Sequence, residues 1–439
     1  MRILAKLFGL ATVFMVAAAA LAVTPDTTPV VPKLRFAVIL TRHGVRSPTW
    51  TLADLNTYSG QPWPDWGVAP GHLTPRGYKL MTLLGSYYRL YFASAGLLPS
   101  TDCEGGNHVH ILADSESRTL ETGKALAAGM VPECGTGTQT ITDGRDPLFS
   151  PLAAGVGNPD RALSVASISG RIGGNPDALV QVYRSAFDTL REMLFGCAPT
   201  VACPAEEKAG KRPVMKELSS LEAGKGDHSA DLRGPLRIGS TLSEDFLLEY
   251  LNGMDGNDLA WGRLDTSKLM DIMRLHAAYA NLARQTQYIA RVQGSNLLSH
   301  ILHSMEQAVN SRSVIGSLSD PSARVLVIVG HDTNIANIAG MLGMDWLLSG
   351  YQPDDTPPGG ALVFELWQQG EGEMVVSTYY IAQSLEQMRK ALPLTLESPP
   401  LKSTIFVPGC STPDQRMTCS WNAFHRTLES AIDPAFVRP

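Results

Sequence analysis

The chain has 439 residues, of which 44% are apolar and 18% charged, with a formal net charge of -6. That balance excludes a disordered chain, and the length suits one large domain with an insertion or two domains. A mildly acidic total also argues against a nucleic-acid-binding surface, so arginine clusters within it are local features with local causes.

The chain opens with MRILAKLFGLATVFMVAAAALA. Arg2 and Lys6 form a short basic region, an apolar stretch follows from Leu7, and Ala20-Leu21-Ala22 supplies a small-residue cleavage site. This pattern predicts a secretory signal peptide over residues 1–22. The segment VTPDTTPVVPK reads as a Pro-rich lead-in. No later apolar run is long enough to span a bilayer, so the mature protein is expected to be periplasmic or secreted and free of the membrane.

Three later segments share one grammar: an apolar β-branched run, a polar turn, then a helical pattern. LRFAVIL leads into TRHGVRSPT, HVHILAD into SESRTLETGKALAAGM, and ARVLVIVGH into DTNIANIAGML. Nearly continuous apolar strands followed by helices predict a mixed, mainly parallel sheet flanked by helices, an α/β fold. In such sheets ligands bind beyond the carboxyl ends of the strands, which puts all three turns on one edge. Between 163 and 310 the pattern becomes helical, in stretches such as TLSEDFLLEYLNGM and KLMDIMRLHAAYANLARQTQY. We therefore expect α/β segments over 34–162 and 311–439, with a mostly helical cap inserted over 163–310. GALVFELWQ and MVVSTYYIA return to strand signals after Pro358.

The six cysteines fit an exported chain, where an even number points to disulfides. Among the pairings six allow, proximity favours Cys103–Cys134, Cys197–Cys203 and Cys410–Cys419. No Cys-x-x-Cys is present, which weighs against a metal site.

Taken together, the turns offer Arg42, His43 and Arg46, then Arg118 flanked by Asp114 and Glu116, then His331 and Asp332. Three guanidiniums and two imidazoles around one point repel each other unless a dense anion sits among them, and arginine's planar fork matches phosphate. Binding alone does not call for a histidine. A neutral imidazole, kept so by nearby cations, is a nucleophile for phosphorus. Attack by His43 would give a phosphohistidine, the arginines would neutralise the equatorial oxygens, and Asp332 would protonate the leaving oxygen.

RHGVRSP and GHDTN resemble the signatures of the histidine acid phosphatases. HLTPRG, DPLF, AWGRL and TPPGGALVFE resemble the bacterial periplasmic acid phosphatase/phytase branch. The resemblance implies a phosphoglycerate mutase-like sheet domain with an α domain. It also implies His43 as nucleophile, Asp332 as proton donor, and Arg42, Arg46, Arg118 and His331 as phosphate ligands, with no metal and no cofactor. Thr49, Trp50, Thr241 and Glu244 fall at candidate substrate-contacting positions. Two departures stand out. Trp50 occupies a place where this branch usually has a lysine that contacts a second substrate phosphate, and Gly157 stands where one cysteine of a fourth disulfide would be. The expected function is a monomeric acid phosphomonoesterase for small phosphate monoesters, phytate first. The alternatives are a glucose-1-phosphatase, a broad acid phosphatase, or a binder of phosphoesters that does not turn them over.

His300, His303 and Glu306 sit at helical spacing without a His-Glu-x-x-His motif, and read as an exposed stripe rather than a metal face. Trp63 and Trp66 either shape the entrance beside Trp50 or fill a loop core.

Overall fold

A computed structural model describes residues 32–99, 103–141, 144–198, 201–370 and 372–438. The expected signal peptide lies outside them. The strands run β1 Lys33–Arg42, β2 Val109–Ala113, β3 Thr138–Gln139, β4 Ser220–Ala223, β5 Ala230–Arg233, β6 Val325–Gly330, β7 Ala361–Gln369, β8 Glu373–Ala382, β9 Leu401–Thr404 and β10 Cys419–Ser420. The helices run α1 Leu52–Thr57, α2 Pro75–Ser94, α3 Ser117–Met130, α4 Arg161–Arg171, α5 Ala178–Val182 and α6 Arg184–Phe195. They continue with α7 Pro235–Leu251, α8 Thr266–Ala283, α9 Gln287–Asn310, α10 Asp332–Leu342, α11 Leu385–Lys390 and α12 Trp421–Ala431.

The main sheet has the order β10-β8-β7-β1-β6-β2-β3, with β9 on β8. Its core is parallel, β1 on β6, β6 on β2 and β2 on β3, while β7 to β10 extend it antiparallel beyond β1. The parallel core answers the sequence grammar: β6 is VLVIVG with every residue buried, as a strand covered on both faces must be. Alternation then sorts side chains between two layers. Phe36, Val38, Leu40, Leu326 and Ile328 join one core with α9, α10 and α12. Ala37, Ile39, Val325, Val327, Val329 and Ile111 join the other with α2 and α3. Each such aliphatic contributes roughly 1.5–3 kcal/mol on full burial.

A third core gathers α6, α7 and α8, and reaches the loop tryptophans Trp63 and Trp66. Trp63 stacks on Phe246 of α7 with centroids 4.8 Å apart and fills a loop core, whereas Trp66 joins that core and also lines a cavity beside Trp50. The helical stretch is shared between layers, because α9 packs on the sheet core rather than on α7 and α8. His300 and His303 are half-buried on α9, not an exposed stripe. The segment after α9 folds back over them, and the Gly316 carbonyl lies 2.6 Å from His300 Nδ1.

The three disulfides are Cys103–Cys134, Cys197–Cys203 and Cys410–Cys419. Gly157 has a φ of 73° and no room for a Cβ against the Phe436 ring, so a side chain is excluded there on two counts. Among the described residues no helix is long and apolar enough to cross a membrane.

Candidate active site

Register places the three turns. Arg42 pairs with Gly330 across β1 and β6, and Ala113 with Val329 across β2 and β6. The next residues in each case are His43, His331 and Asp114, so three strands deliver polar side chains to one level of one edge. Backbone hydrogen bonds fix them there, from His43 N to Gly330 O at 3.0 Å and from Asp114 N to Val329 O at 3.1 Å. The loop after His43 is held by the HLTPRG segment. Arg46 bridges Leu73, and Thr74 caps α2 through Gly77 N while its own N–H reaches Val45 O. Gly44 and Gly77 allow this close approach: a Cβ on either would strike Met81 or the Val45 carbonyl. TPPGG backs the site from the other side, where Gly359 N donates to His43 O and Arg42 Nη1 to Thr356 O.

His43 is 3% exposed. Its Nδ1 lies 2.9 Å from the Gly44 carbonyl, which can only accept, so Nδ1 carries the proton and the lone pair sits on Nε2. Burial, then Arg42, Arg118, Arg46 and His331, hold this ring well below the usual histidine value. It is therefore neutral in mild acid. The His331 ring lies 5.6 Å away, edge-on. His331 Nε2 donates to Asp114 Oδ2 at 2.7 Å, and its Nδ1 is 3.5 Å from Arg118 Nη2. Arg118 also pairs with Glu116.

Glu244 of α7 bridges Arg42 and Arg46, the latter through Oε2 at 2.9 Å. Arg46 is pushed down to about 10 by burial, with Asp245 opposing and Arg42 and Arg118 adding to the fall. Asp332 starts α10, where Thr333 N donates to its Oδ1. Its Oδ2 lies 2.7 Å from Arg284 Nη1 and 3.7 Å from Arg42 Nη2. Burial alone would raise its carboxyl, but Arg284, Arg42 and His276 hold it well below the usual range. Beside Arg284 and Arg42, Asp332 is held as a carboxylate.

All ten residues singled out from the sequence line one cavity of about 300 Å³: Arg42, His43, Arg46, Thr49, Trp50, Arg118, Thr241, Glu244, His331 and Asp332. A larger cavity of about 480 Å³ beside α8 holds none of them, so volume does not locate the site. Sequence reading does not pick out seven others that line the same space, His228, Arg237, Ser240, His276, Tyr279, Arg284 and Thr333. The available signal is weak, namely polar side chains on the largely apolar face of α8. His276 is buried, its Nδ1 set 3.2 Å from Ser240 Oγ, and burial pushes it down to about 3.

Asp114, Glu116 and His331, and Glu244, His276 and Asp332, are each spaced like metal ligands. The donor chemistry does not suit a cation. Glu116, Glu244 and Asp332 each pair with a guanidinium, and Asp114 is engaged by His331. The surplus of guanidinium and imidazole groups favours an anion instead.

The sequence profile of the histidine phosphatase superfamily (branch 2) matches residues 33–171 and 226–381. Phytase AppA of Escherichia coli is 35% identical over 407 residues, covering 92% of this chain and 93% of that protein. A glucose-1-phosphatase of Salmonella typhimurium is 27% identical, covering 93% and 95%. The structure of Hafnia alvei phytase in complex with myo-inositol hexakis sulphate superposes with a TM-score of 0.83 at 36% identity, covering 93% of this chain and 99% of that one. A buried neutral imidazole ringed by guanidiniums, on a matching fold and sequence, leads to one assignment: this chain belongs to branch 2 of the histidine phosphatase superfamily.

Proposed function

We propose that this chain hydrolyses phosphate monoesters through a phosphohistidine on His43, with phytate among its substrates. The observation that carries the reading is the His43 ring, neutral and with its lone pair on Nε2, among Arg42, Arg46, Arg118 and His331. Nε2 attacks phosphorus, the guanidiniums and His331 hold the equatorial oxygens, and the ester P–O bond opposite breaks. Asp332 gives the leaving oxygen its proton. Water then attacks the phosphohistidine and returns a proton to Asp332, so the enzyme is restored. Thr49, Trp50, Thr241 and Glu244 contact the rest of the substrate or orient the arginines. The helices α6 to α8 serve as the cap over this edge, and the three disulfides support a periplasmic or secreted setting.

Phytate is favoured by the likeness to phytases, one solved with inositol hexakis sulphate. Trp50 favours a second reading, a glucose-1-phosphatase or broad acid phosphatase, since it brings no charge for a second phosphate. Turnover on phytate against glucose 1-phosphate separates the two. Rapid-quench labelling with a radioactive phosphoester tests the mechanism. An acid-labile, base-stable protein phosphate should form and vanish in His43→Ala. Tight binding without label or released phosphate would overturn it in favour of a binding protein.

A further inference from the structure

Arg284 ends α8, on the opposite wall from the three turns, with its side chain 19% exposed. It is the nearest cation to Asp332, closer than Arg42. The cavity's own charges pair along two lines, Glu244 with Arg42 and Arg46, and Asp332 with Arg284. A phosphate entering the first set does not release the second. A carboxylate held by Arg284 cannot hand a proton to a leaving oxygen.

The other groups facing Asp332 do not relieve this. From α8 it faces His276 and Tyr279 besides Arg284, and from the loop before β7 it faces Asp355. Glu244 of α7 brings a carboxylate oxygen within 4.8 Å of an Asp332 oxygen, but its charge is engaged by Arg42 and Arg46; Arg46 also faces Asp332, and α10 itself carries no other charged residue. His276 is buried and neutral. Arg284 is therefore the one strong counter-ion of Asp332 that does not belong to the scissile phosphate's own cluster. Arg237 lines the same wall, with its side chain 42% exposed and paired with Asp231 at 2.7 Å. This wall offers guanidinium donors to an anion, and a phosphate outcompetes a single carboxylate for them by charge and by bidentate geometry.

We infer that Arg284 makes proton donation by Asp332 depend on a second anionic group of the substrate, which draws Arg284 away and lets Asp332 take up a proton from solvent. This rests on the phosphohistidine reading, and adds to it a specificity-determining residue: Arg284 favours esters that carry a phosphate next to the one removed.

The test compares an inositol monophosphate with the corresponding vicinal bisphosphate, which share leaving-group chemistry. The rate of phosphoenzyme formation is measured by rapid quench from pH 3 to 7. In the native enzyme the basic limb for the bisphosphate should lie higher by about one pH unit, the size of effect a removed charge partner produces. Arg284→Gln should raise the monophosphate limb to meet it, and Arg284→Lys should keep part of the gap. Coincident limbs in the native enzyme, or a gap that survives Arg284→Gln, would overturn the inference. The native comparison needs no variant, so misfolding cannot obscure it. Absence of labelled enzyme with either ester would sink the phosphohistidine reading instead.

Discussion

The two walls of the cavity are built by different physics. On the sheet edge, parallel register sets the side chains: Arg42, His43, Asp114 and His331 each fall within a residue of a strand end, at one level. On the helical wall, Ser240, Thr241 and Glu244 of α7 and His276, Tyr279 and Arg284 of α8 and its end are placed by packing of one helix on another. On the proposed reading the first wall holds the groups that act on any phosphate, whatever it is attached to, and the second faces the rest of the substrate. Chemistry and selectivity thus lie on elements with different tolerances. A register cannot shift by a fraction, whereas a helix face can be re-decorated one residue at a time.

The sharpest way to break this division is on the sheet edge. His43→Ala should lower turnover at least about 10⁴-fold on every ester, the scale seen when a nucleophile is removed. Equal residual rates with and without the imidazole would end the account. Arg118→Ala should cost about 10²–10³-fold, again regardless of leaving group, as loss of one charge-stabilising donor does. Asp332→Asn sits at the boundary of the walls, and its effect should split. Inositol phosphates should lose about 10²-fold or more, while p-nitrophenyl phosphate, whose leaving group needs no proton, should lose little. A uniform loss would remove Asp332 from the donor role.

That contrast also explains what the sequence makes legible. A β-branched run followed by a polar turn announces its own position, so Arg42, His43, Arg118, His331 and Asp332 can be placed at one edge without coordinates. Arg284 announces nothing. Its importance comes from the 2.7 Å approach to Asp332, which depends on how α8 meets α10. Glu244 can be singled out by resemblance, but its bridging of Arg42 and Arg46 cannot be read from α7 alone. His300 and His303 show the same limit, since helical periodicity marks a face but not the loop that covers it.

A stability measurement probes the helical wall away from catalysis. Asp245 is 1% exposed on α7, neither carboxylate oxygen has a hydrogen-bond partner, and burial pushes it up to about 7 despite Arg46. The unfolded chain ionises this group near its ordinary value, about 4. Between those values the folded chain holds more protons, so its contribution to stability is full below about pH 4 and fades as pH rises towards 7. His43 and His276, buried and neutral, tilt the balance the opposite way in acid. The clean observable is therefore a difference. Asp245→Asn should gain several degrees of thermal stability over the native chain at pH 7, and much less at pH 4. A gain independent of pH would show that Asp245 is not protonated in the folded state.

The smallest effect concerns Trp50, where the two walls meet at the mouth. Its ring lies tilted 5.6 Å from Tyr58, and it lines both the catalytic cavity and an adjoining apolar one of about 320 Å³ shared with Trp66 and Val68. Trp50→Lys exchanges this apolar surface for one half-exposed charge. Such a charge contributes up to about 1 kcal/mol to an ion pair, so the KM for phytate should fall roughly three- to fivefold. The KM for p-nitrophenyl phosphate should hold or rise, because its aryl ring loses a face to pack on. In an Arg284→Gln background the gain on phytate should be larger than in the native chain, because the helical wall then offers one fewer cation to the second phosphate. An equal gain in both backgrounds would mean that the two walls grip different phosphates, which places Arg284 and residue 50 in separate subsites.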